Sequence, residues 1–381
     1  MNTAKYVIDL IKSPDEFEAL HKEWDELWTL ADGRHHESFA VCSLVWRHVA
    51  KPAGRSLCII TARREERIVA IWPLVRSRNR LWNVLRPLSS ESADYTTVLT
   101  DPAYASPDLS QSIWQAARDL GKGDIVLLPY VDCKSELYRL AAEHPGIMLA
   151  KEHPYAVAKL SEVNCWDEFV IGLGKLSGKR PGQLRERLER EGKFEVCILG
   201  PHDREENARM VDWMLARKRE WGERVDKKGS WLWEETFRNY LIELLNHCHP
   251  LACAKLMVLK LDGEILAVNM IGLGAKSMIG LIASFDKRFG KFAPGAVSTE
   301  AWVRWAIEQR LDFDLGIGAE TFKPYWSRGN TAMVCSLQLA QTNWGRVAFA
   351  ISGAQRMLKK ASDNVWRSNV RPEKSLGKEQ A

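Results

Sequence analysis

The chain has 381 residues, 46% of them hydrophobic and 27% charged, with a formal net charge of +5. That length suits two domains of ordinary size, and the apolar content excludes an intrinsically disordered chain. No apolar run approaches the length of a spanning helix, and MNTAKYVIDLIKSPDEF lacks the basic-then-apolar order of a signal peptide, so neither leader nor anchor is expected and a cytoplasmic location is.

Taken in order, residues 14–31 predict a helix. Ser13 caps it, Pro14 holds its first position, Glu16 completes a capping box, and Phe17, Leu20, Trp24, Leu27 and Trp28 follow at helical spacing. A second helix is expected over 43–49. Then the period changes: 56–62 and 68–75 flank the charged turn 63–67, which reads as a β-hairpin. One or two strands fall within 82–99, helices at 110–120 and 136–143, and a buried strand at 124–129. Residues 166–173 predict a helix, and 175–193 form a basic segment with a narrow seam at Leu184 and Leu188. That segment reads as a solvated helix with i,i+4 pairs, or as a basic edge for a lipid headgroup, a diphosphate or RNA. A strand at 195–199 and amphipathic helices at 205–220 and 233–246 follow.

His247, Cys248, His249 and Cys253 place four potential ligands in seven residues, but no second pair has ligand spacing, so a loop with a buried thiol is expected and no metal. The other cysteines (Cys42, Cys58, Cys133, Cys165, Cys197 and Cys335) are scattered without a C-x-x-C pair, as reduced thiols are. Sixteen tryptophans imply large cores, and rings enough to line a cleft.

The second half contains a clear hairpin, 255–261 and 264–272, around Asp262-Gly263, a two-residue turn that wants positive φ. The next strand begins at Met278. A basic loop follows with Arg288, Gly290, Lys291, Pro294 and Gly295, then a helix from Ala296 to about Arg310, with Thr299, Trp302, Val303, Ala306 and Ile307 inward and Glu300, Arg304 and Glu308 outward. A short strand, 313–315, leads into Gly316–Gly329. Strand, basic loop, helix start and strand together make an anion site, because a helix start offers free N–H groups and a positive dipole end. The order hairpin, strand, helix, buried strand also occurs over 56–129, which implies two related halves, of which the second carries the basic loop.

Phe285-Asp286, Phe292-Ala293-Pro294-Gly295, Phe313-Asp314-Leu315-Gly316 and Glu320-x-x-Lys323-x-x-Trp326 resemble the signature of the cellulose-biosynthesis (CelD/BcsL) group of GNAT-type acetyltransferases, whose members are similar to Fem-type transferases with tandem GNAT domains. Trp24, the pair Asp94-Tyr95 and the basic 184–192 segment fit the same pattern. The resemblance implies an α/β fold of two tandem GNAT-like domains, each a mixed sheet flanked by helices. It divides the chain into 1–160, a degenerate domain; 161–345, with the acyl-CoA site; and 346–381, a basic amphipathic helix and tail. It also implies acetyl-CoA as co-substrate and an amino sugar or lipid-linked polysaccharide precursor as acceptor.

On that resemblance Arg288, Gly290, Lys291, Pro294, Gly295 and Ala296 hold the CoA diphosphate. Asp314 is the first choice for general base and Glu320 the second. Lys323 stabilises the oxyanion or holds a sugar phosphate. Asp94, Tyr95, Tyr325 and Trp326 are expected on the acceptor. Relatives carry tyrosine where this chain has Phe322, and Tyr325 is the candidate replacement. In the tail, Val347, Ala350, Ile351, Ala354, Met357, Leu358 and Ala361 form one stripe beside Arg356, Lys359 and Lys360, which suits either packing on the second domain or contact with an anionic inner membrane surface. A regulatory nucleotide on the tail is a further partner, while nucleic acid is not expected. A Fem-like transferase using charged tRNA and a non-catalytic scaffold of a polysaccharide complex are the alternatives.

Overall fold

The computed structural model describes residues 6–90, 95–225, 229–248 and 253–352. The elements run β1 (Val7–Ile11), α1 (Pro14–Ala19), α2 (His21–Leu30), α3 (Phe39–Val45), β2 (Ser56–Leu57), β3 (Ile59–Arg64), β4 (Arg67–Trp72), β5 (Leu74–Asn79), β6 (Trp82–Pro87), β7 (Leu99–Thr100), α4 (Pro107–Gly121), β8 (Ile125–Asp132), α5 (Glu136–Ala142) and β9 (Ile147–Ala158). There follow α6 (Trp166–Val170), α7 (Gln183–Glu191), β10 (Phe194–Leu199), α8 (Arg204–Arg224), α9 (Glu235–Asn246), β11 (Ala254–Leu261), β12 (Glu264–Leu273), β13 (Ser277–Phe285), α10 (Pro294–Glu308), β14 (Asp312–Ile317), α11 (Phe322–Trp326) and β15 (Thr331–Ala340).

Local chemistry accounts for many of these boundaries. The capping box is present: Ser13 and Glu16 satisfy each other's backbone N–H groups at the start of α1. The helix expected over 14–31 is two helices, because the chain turns at Leu20 before α2 begins. The hairpin expected at 56–75 is bent. Cys58 interrupts one arm and Pro73, which has no N–H to donate, interrupts the other, so β3 and β4 lie in one sheet while β2 and β5 lie in another. The Asp262-Gly263 turn has φ of 50° and 84°, as its residues dictate.

Two sheets result. The smaller has the order β1-β3-β4-β7, and the larger, of eleven strands, runs β10-β11-β12-β13-β14-β9-β15-β8-β6-β5-β2. Its parallel pairs are β6 with β8 and β13 with β14, and each pair is connected through a helix, α4 and α10 respectively. This mixed α/β architecture repeats the same strand–helix–strand unit in both halves. The halves are also interlocked. β9 pairs with β14, and β15 returns from the far end of the chain to lie between β9 and β8.

Large apolar clusters fill the layers. One joins Phe17, Trp24 and Trp28 of the first helices to Met210, Phe237 and Leu244 of α8 and α9. Another packs α10, through Trp302 and Val303, on Met278, Phe313 and Leu315. Most tryptophans therefore serve as packing. Residues 343–352 are helical, with Val347 and Ile351 exposed and Ala348 buried. Ala350 of the expected stripe is exposed too, and the stripe from Ala354 onward lies outside the described residues, as does His249. Among the described residues no helix is long and apolar enough to cross a membrane.

Candidate active site

The site grows from one topological feature. β13 and β14 pair only from Ser277–Asp312 to Ile279–Asp314 and then separate. Beyond that point a cavity of about 200 Å³ opens between them, lined by Asn269, Gly280, Ile282, Thr299, Phe313, Leu315, Phe322 and Lys323 among others. The register to β12 skips Leu281, so β13 bulges beside the opening. Strand alternation assigns the two faces. Phe313 and Leu315 face the slot and α10, whereas Asp314 between them faces the opposite side. There a second cavity, of about 320 Å³, is lined by Arg34, His36, Tyr95, Lys276, Asp312 and Asp314.

On the α10 side, a 3-10 turn (Lys287–Phe292) leads through Ala293, in the left-handed region at φ 50°, to Pro294 at the first helical position. The Ala293 carbonyl takes the N–H groups of Ala296 and Val297, which leaves Gly295 as the donor of the first turn. A Cβ built on Gly295 meets nothing within 4 Å, so its α-carbon faces open space. Arg288 is bonded to Asp286 (3.1 Å) and to Glu264 (3.2 Å). Lys291 holds its ammonium 4.7 Å from the Phe292 ring centre, and Arg187 of α7 donates to the Lys291 carbonyl. Two expected orientations in α10 are corrected. Glu300 is buried, because it accepts from the Gly182 N–H and pairs with Arg304. Thr299 is half-buried and lines the slot.

On the other side, Asp314 Oδ1 accepts from the Tyr95 hydroxyl at 3.0 Å and from the Gly316 N–H at 2.8 Å. Burial raises the Asp314 pKa above the ordinary carboxylate value, although the Gly316 N–H, Arg34 and the Tyr95 hydroxyl pull it back. Burial and the Asp314 charge raise the Tyr95 pKa, so its hydroxyl stays protonated and donates. Tyr95 stands edge-on to Tyr155, whose hydroxyl bonds Asp132 at 3.2 Å. His36 meets the Thr97 hydroxyl at 3.0 Å, and burial, then the Arg34 charge, push its pKa down to about 3.

The remaining expected residues divide. Lys323 is buried, bonds the Ile317 carbonyl at 2.6 Å and pairs with Glu320 at 2.9 Å, at the wall of the slot. Phe322 lines the same wall. Tyr325 and Trp326 line neither cavity. Tyr325 donates to the Gly174 carbonyl, and Trp326 is 3% exposed, packed between Trp166 and Phe169. Both therefore hold the 166–174 segment in place. Asp94 lies outside the described residues. Among the described residues no cluster of His, Cys, Asp and Glu could hold a metal ion.

Sequence reasoning passed over Arg34, His36, Thr97 and Asn269. Asn269 carried a signal, being a lone amide in the apolar run of β12. Arg34 and His36 carried none, since only the folded chain brings them to Tyr95, and Thr97, two residues beyond Tyr95, had no feature to single it out.

Comparison with known proteins completes the description. Residues 180–324 match the family model of an acetyltransferase (GNAT) domain. No curated protein matches. Among solved structures, FemX aligns with a TM-score of 0.53 and 12% identity over 77% of this chain and 90% of that one. The C-terminal domain of a protein assigned as a lysylphosphatidylglycerol synthetase from Agrobacterium fabrum aligns with a TM-score of 0.53 and 14% identity over 89% and 96%. A conserved protein of unknown function from Bacteroides thetaiotaomicron VPI-5482 gives 0.52 and 12% over 88% and 100%. The solved structures bear on the fold alone. The match over residues 180–324 makes the protein an acyltransferase by the similarity of that segment to GNAT acetyltransferase domains.

Proposed function

We propose that the protein transfers an acyl group from acyl-CoA to an amine, with the donor on the α10 side of the slot between β13 and β14 and the acceptor on the Asp314 side. The observation that carries this reading is the separation of the two strands after Ile279 and Asp314, beside a helix start with open space at Gly295. On this reading the two reactants meet where the strands part, since Ile279 and Asp314 of one cavity adjoin Gly280, Phe313 and Leu315 of the other in sequence.

The residues present fit the donor. The Gly295 amide and the dipole of α10 attract a diphosphate, and Lys291 adds charge. Arg288 contributes less than its position in the sequence suggests, since two carboxylates already engage it. Acyl-CoA supplies the activated thioester when bound. Asn269 and the bulged backbone at Leu281 can donate hydrogen bonds to the thioester carbonyl as it gains negative charge. Asp314, through the carboxylate oxygen that Tyr95 and Gly316 leave open, takes the proton of the attacking amine. The amine nitrogen bonds to the acyl carbon, the carbon–sulfur bond breaks, and the thiolate is protonated from solvent, to which Asp314 returns the proton it took, so that the base is regenerated. Lys323 holds positive charge beside that leaving group. Asp314 suits a base because burial lifts its pKa toward the working range.

The acceptor we favour is an amino sugar or lipid-linked sugar of exopolysaccharide synthesis, a reading supported by the resemblance of the Phe313–Trp326 motif to the cellulose-biosynthesis acetyltransferases. Thiol release from acetyl-CoA in the presence of glucosamine tests the reaction. Release that falls at least about a hundredfold in Asp314→Asn supports the assignment; release unchanged in that variant contradicts it.

A further inference from the structure

Arg34 lies between α2 and α3, behind the face of the sheet opposite α10. It lines two cavities at once: the one of about 320 Å³ that contains Asp314, and a neighbour of about 360 Å³. The polar lining of the neighbour combines the hydroxyls of Thr97, Thr100, Ser110 and Ser135 with the carboxylates of Asp32, Glu37, Asp132 and Glu136, so that Arg34 is the one cation on its wall among the described residues. Its guanidinium carbon sits 5.4 Å from the centre of the Tyr95 ring, the ring whose hydroxyl bonds Asp314.

Arginines of this chain divide between those paired with a carboxylate and those that are not. Arg63 is held by both oxygens of Glu23, Arg238 by both of Asp212 and Arg209 by both of Glu206. Of the lysines and arginine lining the Asp314 cavity, Lys276 pairs with Asp32 and Lys159 with Asp312. Arg34 has no carboxylate at ion-pair distance among the described residues, although the Glu37 and Asp314 charges favour its charged form from farther off. The nearest candidate, Glu37, spends its Oε2 on the Arg34 backbone N–H at 2.7 Å. The neighbouring imidazoles add no competing charge, since burial keeps His35 and His36 neutral.

Arg34 is half-buried and has no bonded counter-ion, and the five donors of a guanidinium match the geometry of a carboxylate or phosphate. We propose that Arg34 seats an oxyanion carried by the acceptor, so that the acyl acceptor is an amine that also bears a carboxylate or phosphate. This rests on the acyl-transfer reading above. Tyr95 sets the geometry: its ring face supports the guanidinium while its hydroxyl fixes the carboxylate that receives the amine proton. The anion and the amine are then separated by about one tyrosine side chain, the span of an amino acid or an amino-sugar phosphate. The hydroxyls of Thr97, Thr100, Ser110 and Ser135 line the larger cavity, where the rest of a polar acceptor can lie.

Thermal unfolding of the full chain tests the site without knowledge of the acceptor. Inorganic phosphate and acetate are titrated separately into wild type and Arg34→Gln, with acetyl-CoA affinity measured on both proteins by calorimetry. The proposal expects at least one anion to raise the wild-type Tm, with the apparent affinity falling at least about tenfold in Arg34→Gln. Which anion acts distinguishes a phosphate-bearing from a carboxylate-bearing acceptor. A wild type that responds to neither anion overturns the proposal, and so does a variant that responds like wild type. Arg34→Lys supplies a second readout: it keeps the positive charge beside Glu37 and Asp314 but not the planar fork, so a weakened anion response supports the proposal and a response equal to wild type overturns it. If wild type fails to bind acetyl-CoA but keeps an Arg34-dependent anion response, the donor reading fails while the anion site stands.

Discussion

Tyr95→Phe removes one oxygen from the point where the two halves of the chain meet. The bond it deletes joins residues 219 positions apart, at 3.0 Å, inside the fold. The ring itself remains, so its edge contact with Tyr155 at 5.7 Å and its support of Arg34 are kept. The loss is therefore that of a buried hydrogen bond to a charged acceptor, about 1.5–3 kcal/mol, with the Gly316 N–H left as the remaining donor to Oδ1. Equilibrium urea unfolding near neutral pH, analysed at fixed slope, reads this directly. The same variant carries a kinetic signature. Without the hydroxyl the Asp314 carboxylate is held less firmly, so it keeps its proton to higher pH and the acidic limb of kcat/KM for thiol release moves upward. A loss below about 0.5 kcal/mol together with an unmoved acidic limb would refute the coupling of Tyr95 to Asp314.

Asp314→Asn should change stability in a pH-dependent direction. Burial raises the folded-state pKa of Asp314 above its ordinary 3.8, so the contribution of this group to stability is fully present below 3.8 and is lost as pH rises through the folded value. The amide imitates the protonated acid, and urea midpoints should show the variant gaining on wild type near neutral pH and matching it below 3.8; a variant weakened at neutral pH contradicts the buried-charge argument. Trp326→Ala should cost about 3–5 kcal/mol, because the ring is enclosed between Trp166 and Phe169, while a loss under about 1 kcal/mol would mean the ring is not core. Residues 1–160 and 161–345 expressed separately should each lack cooperative unfolding and regain it on co-expression, since β15 is inserted between β8 and β9; two independently cooperative fragments would contradict that interlock.

How far the sequence could be read depended on how local the cause was. The Asp262-Gly263 turn and the Ser13 cap are decided within four residues, and both appear as expected. The slot loop and α10 were legible for the same reason, although the helix starts two residues earlier, at Pro294. β9 was not legible. Lys151, Glu152, His153 and Pro154 interrupt any apolar pattern, and they are tolerated because that part of the strand pairs only with β15 on one side. β1 and β15 escaped notice as well, since their partners lie far away in sequence. Asp314 could be chosen from its strand alternation and its motif. Trp326 could not be told from a ligand-stacking ring, because its burial depends on α6. Arg34 gave no warning, as its place between two cavities without a bonded carboxylate is a property of the assembled fold.

The central claim is that acyl-CoA sits at the start of α10 and reaches through the slot between β13 and β14. Calorimetric titration of acetyl-CoA into wild type and Gly295→Trp tests it most directly. Open space around Gly295 lets the indole be accommodated without disturbing the core, so the variant should unfold at the wild-type temperature. The account predicts saturable binding to wild type that is lost in the variant. Equal affinity in both proteins, or no binding to wild type, would contradict it.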